Sequence, residues 1–229
     1  MGAGGYLIQA MHIHVVYYLE VVSSWCHWAE PAWDELKTRF GHLAQFEWRI
    51  ALMTADGFPK SREQEDWFYR RSGVLMRSPS MLNGGWLEPG RPEYLAPNLL
   101  AEAAKDFGVI DDRVRRALTE AAVLRGLKVG QWEVSAPIAA VAAGVEESTL
   151  LERARSEPVE QRVRKSTEEF HALQVTQRPT FVITDQIGDR AVLSGLATAA
   201  PLVGVIEAML RDCEGYASWK AHFGEPPTT

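Results

Sequence analysis

Residues 12–29 read His12-Ile-His-Val-Val-Tyr-Tyr-Leu-Glu-Val-Val-Ser23-Ser-Trp-Cys26-His-Trp-Ala29, and their order decides the architecture. The stretch through Val22 is rich in β-branched and aromatic side chains and free of Gly and Pro, which predicts a buried strand. Ser23 and Ser24 then precede a run in which Ala29, Ala32, Trp33, Leu36 and Phe40 recur at helical spacing, with Gly41 placed as a C-cap. A strand thus delivers a serine to the start of an amphipathic helix. Residues 44–53 alternate and predict a second strand. A β-α-β opening favours a parallel pair joined by a right-handed crossover.

Further along, Ser61 and Gln64 form a capping box that starts a helix. A Gly- and Pro-punctuated loop follows over 73–97, long enough to expect that it carries function or covers something. Helical patterns run through 98–107, 111–127, 134–143, 147–156 and 158–173. Residues 178–184 predict a strand entered through Pro179, 185–190 a turn, 191–195 a short paired strand and 200–210 a closing helix before a polar tail.

Composition narrows the functional classes. The chain of 229 residues is 46% hydrophobic, enough for a self-sufficient core. Its two cysteines, 187 positions apart, support neither a disulfide framework nor a Cys-rich zinc module. A net charge of −6 gives no electrostatic reason to expect nucleic acid, and apolar runs such as 196–206 are too short for a bilayer. His12 and His14 share a strand face, but no third ligand is identifiable, so no metal is expected. Met11 reads as a candidate natural start, the segment before it being a leader or an artificial addition without a signal peptide's charged start and long apolar stretch, and a cytoplasmic protein is the expectation.

Ser23-Ser24-Trp25-Cys26 stands where unpaired amides and the positive end of a helix dipole favour an anion. Thiol pKa values fall at such helix starts. Here the chain resembles the DsbA-like branch of the thioredoxin superfamily. That branch comprises DsbA- and FrnE-like oxidoreductases, kappa-class glutathione transferases and 2-hydroxychromene-2-carboxylate isomerases. The segment from Tyr18 to Ala29 is similar to the strand and Ser-Pro-Tyr-Ser of the glutathione-using members, and Pro31 matches the proline that kinks the helix. Val175-Thr-Gln-Arg-Pro179-Thr-Phe-Val-Ile is similar to the branch's Gly-Val-Pro-Thr-Phe-Val-Ile, whose proline is cis and faces the active site.

The resemblance implies an α/β, thioredoxin-like fold over residues 11–60 and 166–229, with an inserted helical domain over 61–165. It puts Ser23 in the place of the thiol-activating serine and Cys26 in that of the second serine or resolving cysteine. Three positions depart from the pattern: serine replaces the nucleophilic cysteine at 23, Ser24 replaces proline, and Arg178 replaces a small or apolar residue. A rival register starts the motif at Cys26, but the spacing to Pro31 and the strand end at Val22 favour Ser23.

The implied catalytic residues are Ser23 and Cys26. Ser24, Trp25, Arg178, Pro179 and Thr180 would bind glutathione or another small thiol, and His27 would border the substrate, an apolar electrophile. Each has a plainer reading: a serine N-cap, a buried thiol, a proline at a strand entry, a surface histidine. Trp67, Phe68, Tyr69, Trp86 and Tyr94 could line an apolar pocket, though such spacing more often builds core. Three functions stay open: a thiol-cofactor-dependent isomerase or transferase, an oxidoreductase using Cys26 alone, and a peptide-binding protein without catalysis. Homodimerisation stays open too.

Overall fold

The structure, a computed structural model, describes residues 13–225. Met11 and His12, with the start and the His12–His14 pair read on them, lie outside the described residues. Strand β1 (Ile13–Leu19) pairs in parallel with β2 (Ala44–Ile50), Val15 opposite Phe46, and helix α1 (Ser24–Phe40) connects the two. Along its other edge β1 meets β3 (Thr180–Thr184) antiparallel, and β3 meets β4 (Arg190–Ser194) antiparallel, giving the order β2-β1-β3-β4. The central β1 is covered on both faces, which is why it reads as an unbroken apolar run. Buried Tyr17 stacks on Phe181 at 4.7 Å and tilts against Trp33 at 5.2 Å, joining sheet to α1.

Between β2 and β3 come α2 (Arg62–Leu75), α3 (Leu95–Ala104), α4 (Arg113–Val123), α5 (Trp132–Ala143), α6 (Glu147–Ala154) and α7 (Glu157–Ala172). Helix α3 is the hub: it packs on α4, α5, α6 and α7 and is buried from Ala96 to Ala104. The bundle is tied to α1 by Arg115, buried and paired with Glu30 and Asp112, whose carboxylate also accepts from Trp33 Nε1 at 3.1 Å.

Ser61 caps α2 by accepting from the Gln64 amide at 3.2 Å, and Gln64 Oε1 accepts from the Lys60 amide at 2.7 Å. The predicted loop is shorter at both ends, because α2 continues to Leu75 and α3 begins at Leu95, with one helical turn at Gly84–Trp86 between them. Strand β1 stops at Leu19 rather than Val22. A turn closed by the Ser23 amide on the Glu20 carbonyl, at 3.0 Å, redirects the chain into α1.

The closing helix α8 (Ala199–Phe223) runs well past the expected end at residue 210. Its turns after Cys213 contain good helix formers and Gly215 as their only breaker, so the helix persists without a buried face there. Cys213 on α8 is buried.

Candidate functional site

The turn at 20–23 sets Ser23 as the N-cap of α1, its hydroxyl accepting from the Cys26 amide at 3.4 Å and its carbonyl from the His27 amide at 3.0 Å. The Ser24 and Trp25 amides have no hydrogen bond among the described residues and stand at the open end of the helix. Ser23, Ser24 and Trp25 form one wall of a cavity of about 460 Å³. Met53, Phe58 and Lys60 after β2, Gln64, Glu65, Phe68 and Arg71 on α2, and Trp86 form most of the remainder. Gln177 contributes from the segment before β3. The cavity thus lies between the sheet end and the helices that follow β2. It has apolar side chains, exposed cations in Lys60 and Arg71, and a helix N-terminus directed into it.

Cys26 sits behind this wall, 3% exposed, and does not line the cavity. Burial pushes its thiol up to about 11, against the smaller opposing pull of the Ser23 hydroxyl. At neutral pH it stays protonated, as a small buried side chain would. The only other cysteine, Cys213, is also free and buried. His27 is half-buried outside the cavity, and desolvation lowers its pKa.

The Arg178–Pro179 peptide bond is cis. Gln177, two residues earlier, reaches the cavity; Arg178, Pro179 and Thr180 do not line it. The Arg178 guanidinium turns to the end of β2, where it donates to the carbonyls of Ala51 and Leu52 (2.6 Å to the latter) and lies 4.2 Å from the Phe170 ring centroid. Thr180 is buried, its hydroxyl donating to the Gln177 carbonyl at 2.6 Å. His14, the described half of the histidine pair, has Nε2 3.4 Å from Glu47. Among the described residues no group of three or more His, Cys, Asp or Glu is placed to hold a metal ion.

Two acids near the site have no counterpart in the sequence reading. Glu20 is fully buried and accepts from the Met53 amide at 2.9 Å and from Asn98 Nδ2. Glu65 is 6% exposed and opens on the cavity. Burial raises each to about 7. The position of Glu65 was readable in principle, because it shares the buried stripe of α2 with Tyr69 and Ser72 at helical spacing. Of the aromatics considered for a pocket, Phe68 and Trp86 line the cavity, Tyr69 and Tyr94 are core, and Trp67 is exposed.

This four-stranded mixed sheet, with helices inserted after its β-α-β half, is the thioredoxin-like fold of DsbA-type proteins. A candidate protein disulfide isomerase from Nitrosomonas europaea superposes with a TM-score of 0.70 at 14% identity, over 88% of this chain and 98% of its own. The cytosolic disulfide reductase DsbM from Pseudomonas aeruginosa, also solved with GSH, gives 0.69 at 17% identity over 86% and 98%. A 2-hydroxychromene-2-carboxylate isomerase gives 0.56 at 16% identity over 90% and 98%. No protein-family model matches the sequence, and no curated protein does.

Proposed function

We propose that this protein is a thioredoxin-fold enzyme that binds a small thiol, glutathione or one like it, and uses it on an apolar electrophile as an isomerase or transferase. One observation carries the reading: Ser23 and the head of α1 line the cavity while Cys26 is sealed behind them. A thiolate laid against Ser23 gains hydrogen bonds from the hydroxyl and the open amides, and a favourable interaction with the helix dipole. The cavity volume lies within the range of small-molecule sites. The GSH held by DsbM and the isomerase among the structural neighbours support the thiol and the reaction class. Gln177 then brings the segment before the cis bond to the cavity, the Arg178 side chain holding that segment against β2. This reading belongs with a compartment where glutathione is kept reduced, such as the cytoplasm.

Two alternatives have less support. A Cys26 thiol raised to about 11 is a poor nucleophile at neutral pH, and serine at 23 rules out the paired dithiol. A groove that only binds peptide leaves the open helix end facing the cavity without a use. The test is titration with reduced glutathione, following thiolate ultraviolet absorbance in wild type and Ser23→Ala. Saturable absorbance lost in the variant is expected. No signal in wild type overturns the thiol site, and an unchanged signal in Ser23→Ala moves it away from Ser23. Peptide binding without any glutathione signal would favour the binding protein.

A further inference from the structure

Beyond Cys213, its last buried residue, α8 carries an apolar stripe that no other described residue covers. Tyr216, Trp219 and Phe223 are 65%, 64% and 62% exposed. Their spacing of three and then four positions keeps them within about 60° of one another around the helix, the spacing of a paired-helix seam. The Trp219 and Phe223 ring centroids lie 4.1 Å apart, so the stripe is a continuous ridge and not a scatter of single side chains. Asp212 stands one turn earlier on the same line, exposed and without an ion pair among the described residues. Lys220 flanks the line and pairs with Glu225 of its own helix, both of them exposed, a contact worth little. Residues 214–223 gain nothing from packing on the body, and a helical length that short is marginal in water by itself. The stripe is remote from the cavity: Cys213 is beside Asp185, which follows β3 where that strand meets the start of β1, and the cavity opens beyond the other end of β1.

We propose that this stripe joins two copies of the chain as an antiparallel pair of α8 helices, with the two-fold axis near Tyr216. Charge singles out a second copy as the occupant. Turning the helix about Tyr216 sets Asp212, four positions before it, opposite Lys220 of the other copy, four positions after it, so one contact makes two symmetric ion pairs. A parallel pair would instead set Asp212 against Asp212. The stripe also starts where α8 leaves the body, so antiparallel pairing keeps the two bodies at opposite ends. The three rings each have roughly 100–150 Å² left to bury, about 600–900 Å² over both copies. Asp212, Lys220 and the residues around them bring this toward the low end of specific interfaces, about 1,200 Å². The dimer is therefore reversible, with a dissociation constant in the micromolar range. Because the same patch is used on both copies, assembly stops at two.

The test is sedimentation velocity of the full chain from about 1 to about 100 µM, the range suited to an interface of this size. Wild type is expected to pass from monomer to dimer across it. Trp219→Asp, at a side chain the fold does not bury, is expected to weaken association about thirtyfold or more and to leave the unfolding curve of the dilute monomer as in wild type. Asp212→Lys and Lys220→Asp should each weaken it about tenfold, because both symmetric pairs are lost at once. Combining the two reversals re-forms the pairs at the original net charge of −6, and association should return to within about twofold of wild type. A monomer throughout the range overturns the proposal, as does a dimer that Trp219→Asp leaves intact. A double variant no tighter than the single ones overturns the antiparallel pairing. If a monomeric wild type instead pellets with phosphatidylglycerol vesicles, the stripe belongs to a membrane surface and the second copy is rejected.

Discussion

Glu20 and Glu65 are both buried, and burial brings both to about 7, yet the chain treats them in opposite ways. Glu20 is sealed, with the Met53 amide and Asn98 Nδ2 supplying donors and the Arg178 charge close enough to favour ionisation. It fastens the end of β1 to the chain after β2 and to α3. Glu65 has a tyrosine hydroxyl beside it and an opening to the cavity. A raised pKa by itself therefore does not mark a reagent. Access distinguishes the two, and the donors that satisfy Glu20 are the same ones that shut it in.

The largest expected effect tests the feature the two acids share. An acid whose pKa is higher folded than unfolded binds more protons in the native state between the two values. Stability is then present at low pH and is lost as pH rises from about 4.5 to about 7. Each acid contributes roughly 3 kcal/mol to that loss. Urea unfolding at mildly acidic and mildly alkaline pH should show the fall, and Glu20→Gln and Glu65→Gln should each remove a comparable part. A variant that leaves the slope intact would show its carboxyl to be ordinary in the folded protein.

The same burial governs Cys26. With its thiol near 11, alkylation by iodoacetamide at mildly alkaline pH should run on the order of a hundredfold slower than for an ordinary free thiol. Rapid alkylation of the folded protein would return the single-cysteine chemistry to contention.

Replacing each acid by an apolar side chain sharpens the contrast. Glu20→Leu strands the Met53 amide and one N–H of Asn98 inside the protein and should cost about 2–4 kcal/mol in denaturant unfolding. Glu65→Leu strands only the Tyr69 proton, removes a costly buried carboxyl, and should change stability by about 1 kcal/mol or less. Equal costs would mean that Glu65 is a structural post as well.

The β1–α1–β2 unit was legible because its signals are local: a β-branched run, two serines, then apolar residues at helical spacing. The cavity was less so. Glu65 shares a helical stripe with Tyr69 and Ser72, but the backbone of Gly84 that closes over it lies nineteen positions away and leaves no local signal. Arg178 shows the opposite failure. Its place beside Pro179 suggested a group for the groove, but the carbonyls at the end of β2, more than a hundred positions earlier, draw the guanidinium aside. The last turns of α8 were missed because their Tyr216, Trp219 and Phe223 are exposed, so no buried stripe marks them as helix.

The smallest effect separates two roles combined in one hydroxyl. The structure gives the cap of α1 to Ser23, so Ser23→Ala should cost about 1 kcal/mol and Ser24→Ala only a few tenths. That loss alone does not show whether Ser23 also holds a thiolate. Ser23→Asp keeps a cap oxygen of equal quality and adds a charge that suits a helix N-terminus, so stability should return to within about 0.5 kcal/mol of wild type. The same carboxylate would sit against the sulfur of a bound thiol and repel its anion. Glutathione titration should therefore be lost in Ser23→Asp as fully as in Ser23→Ala, while the unfolding curves of the two variants part. If Ser23→Asp recovers both stability and the thiolate signal, the serine is a cap alone, and the anion is held by the Ser24 and Trp25 amides without it.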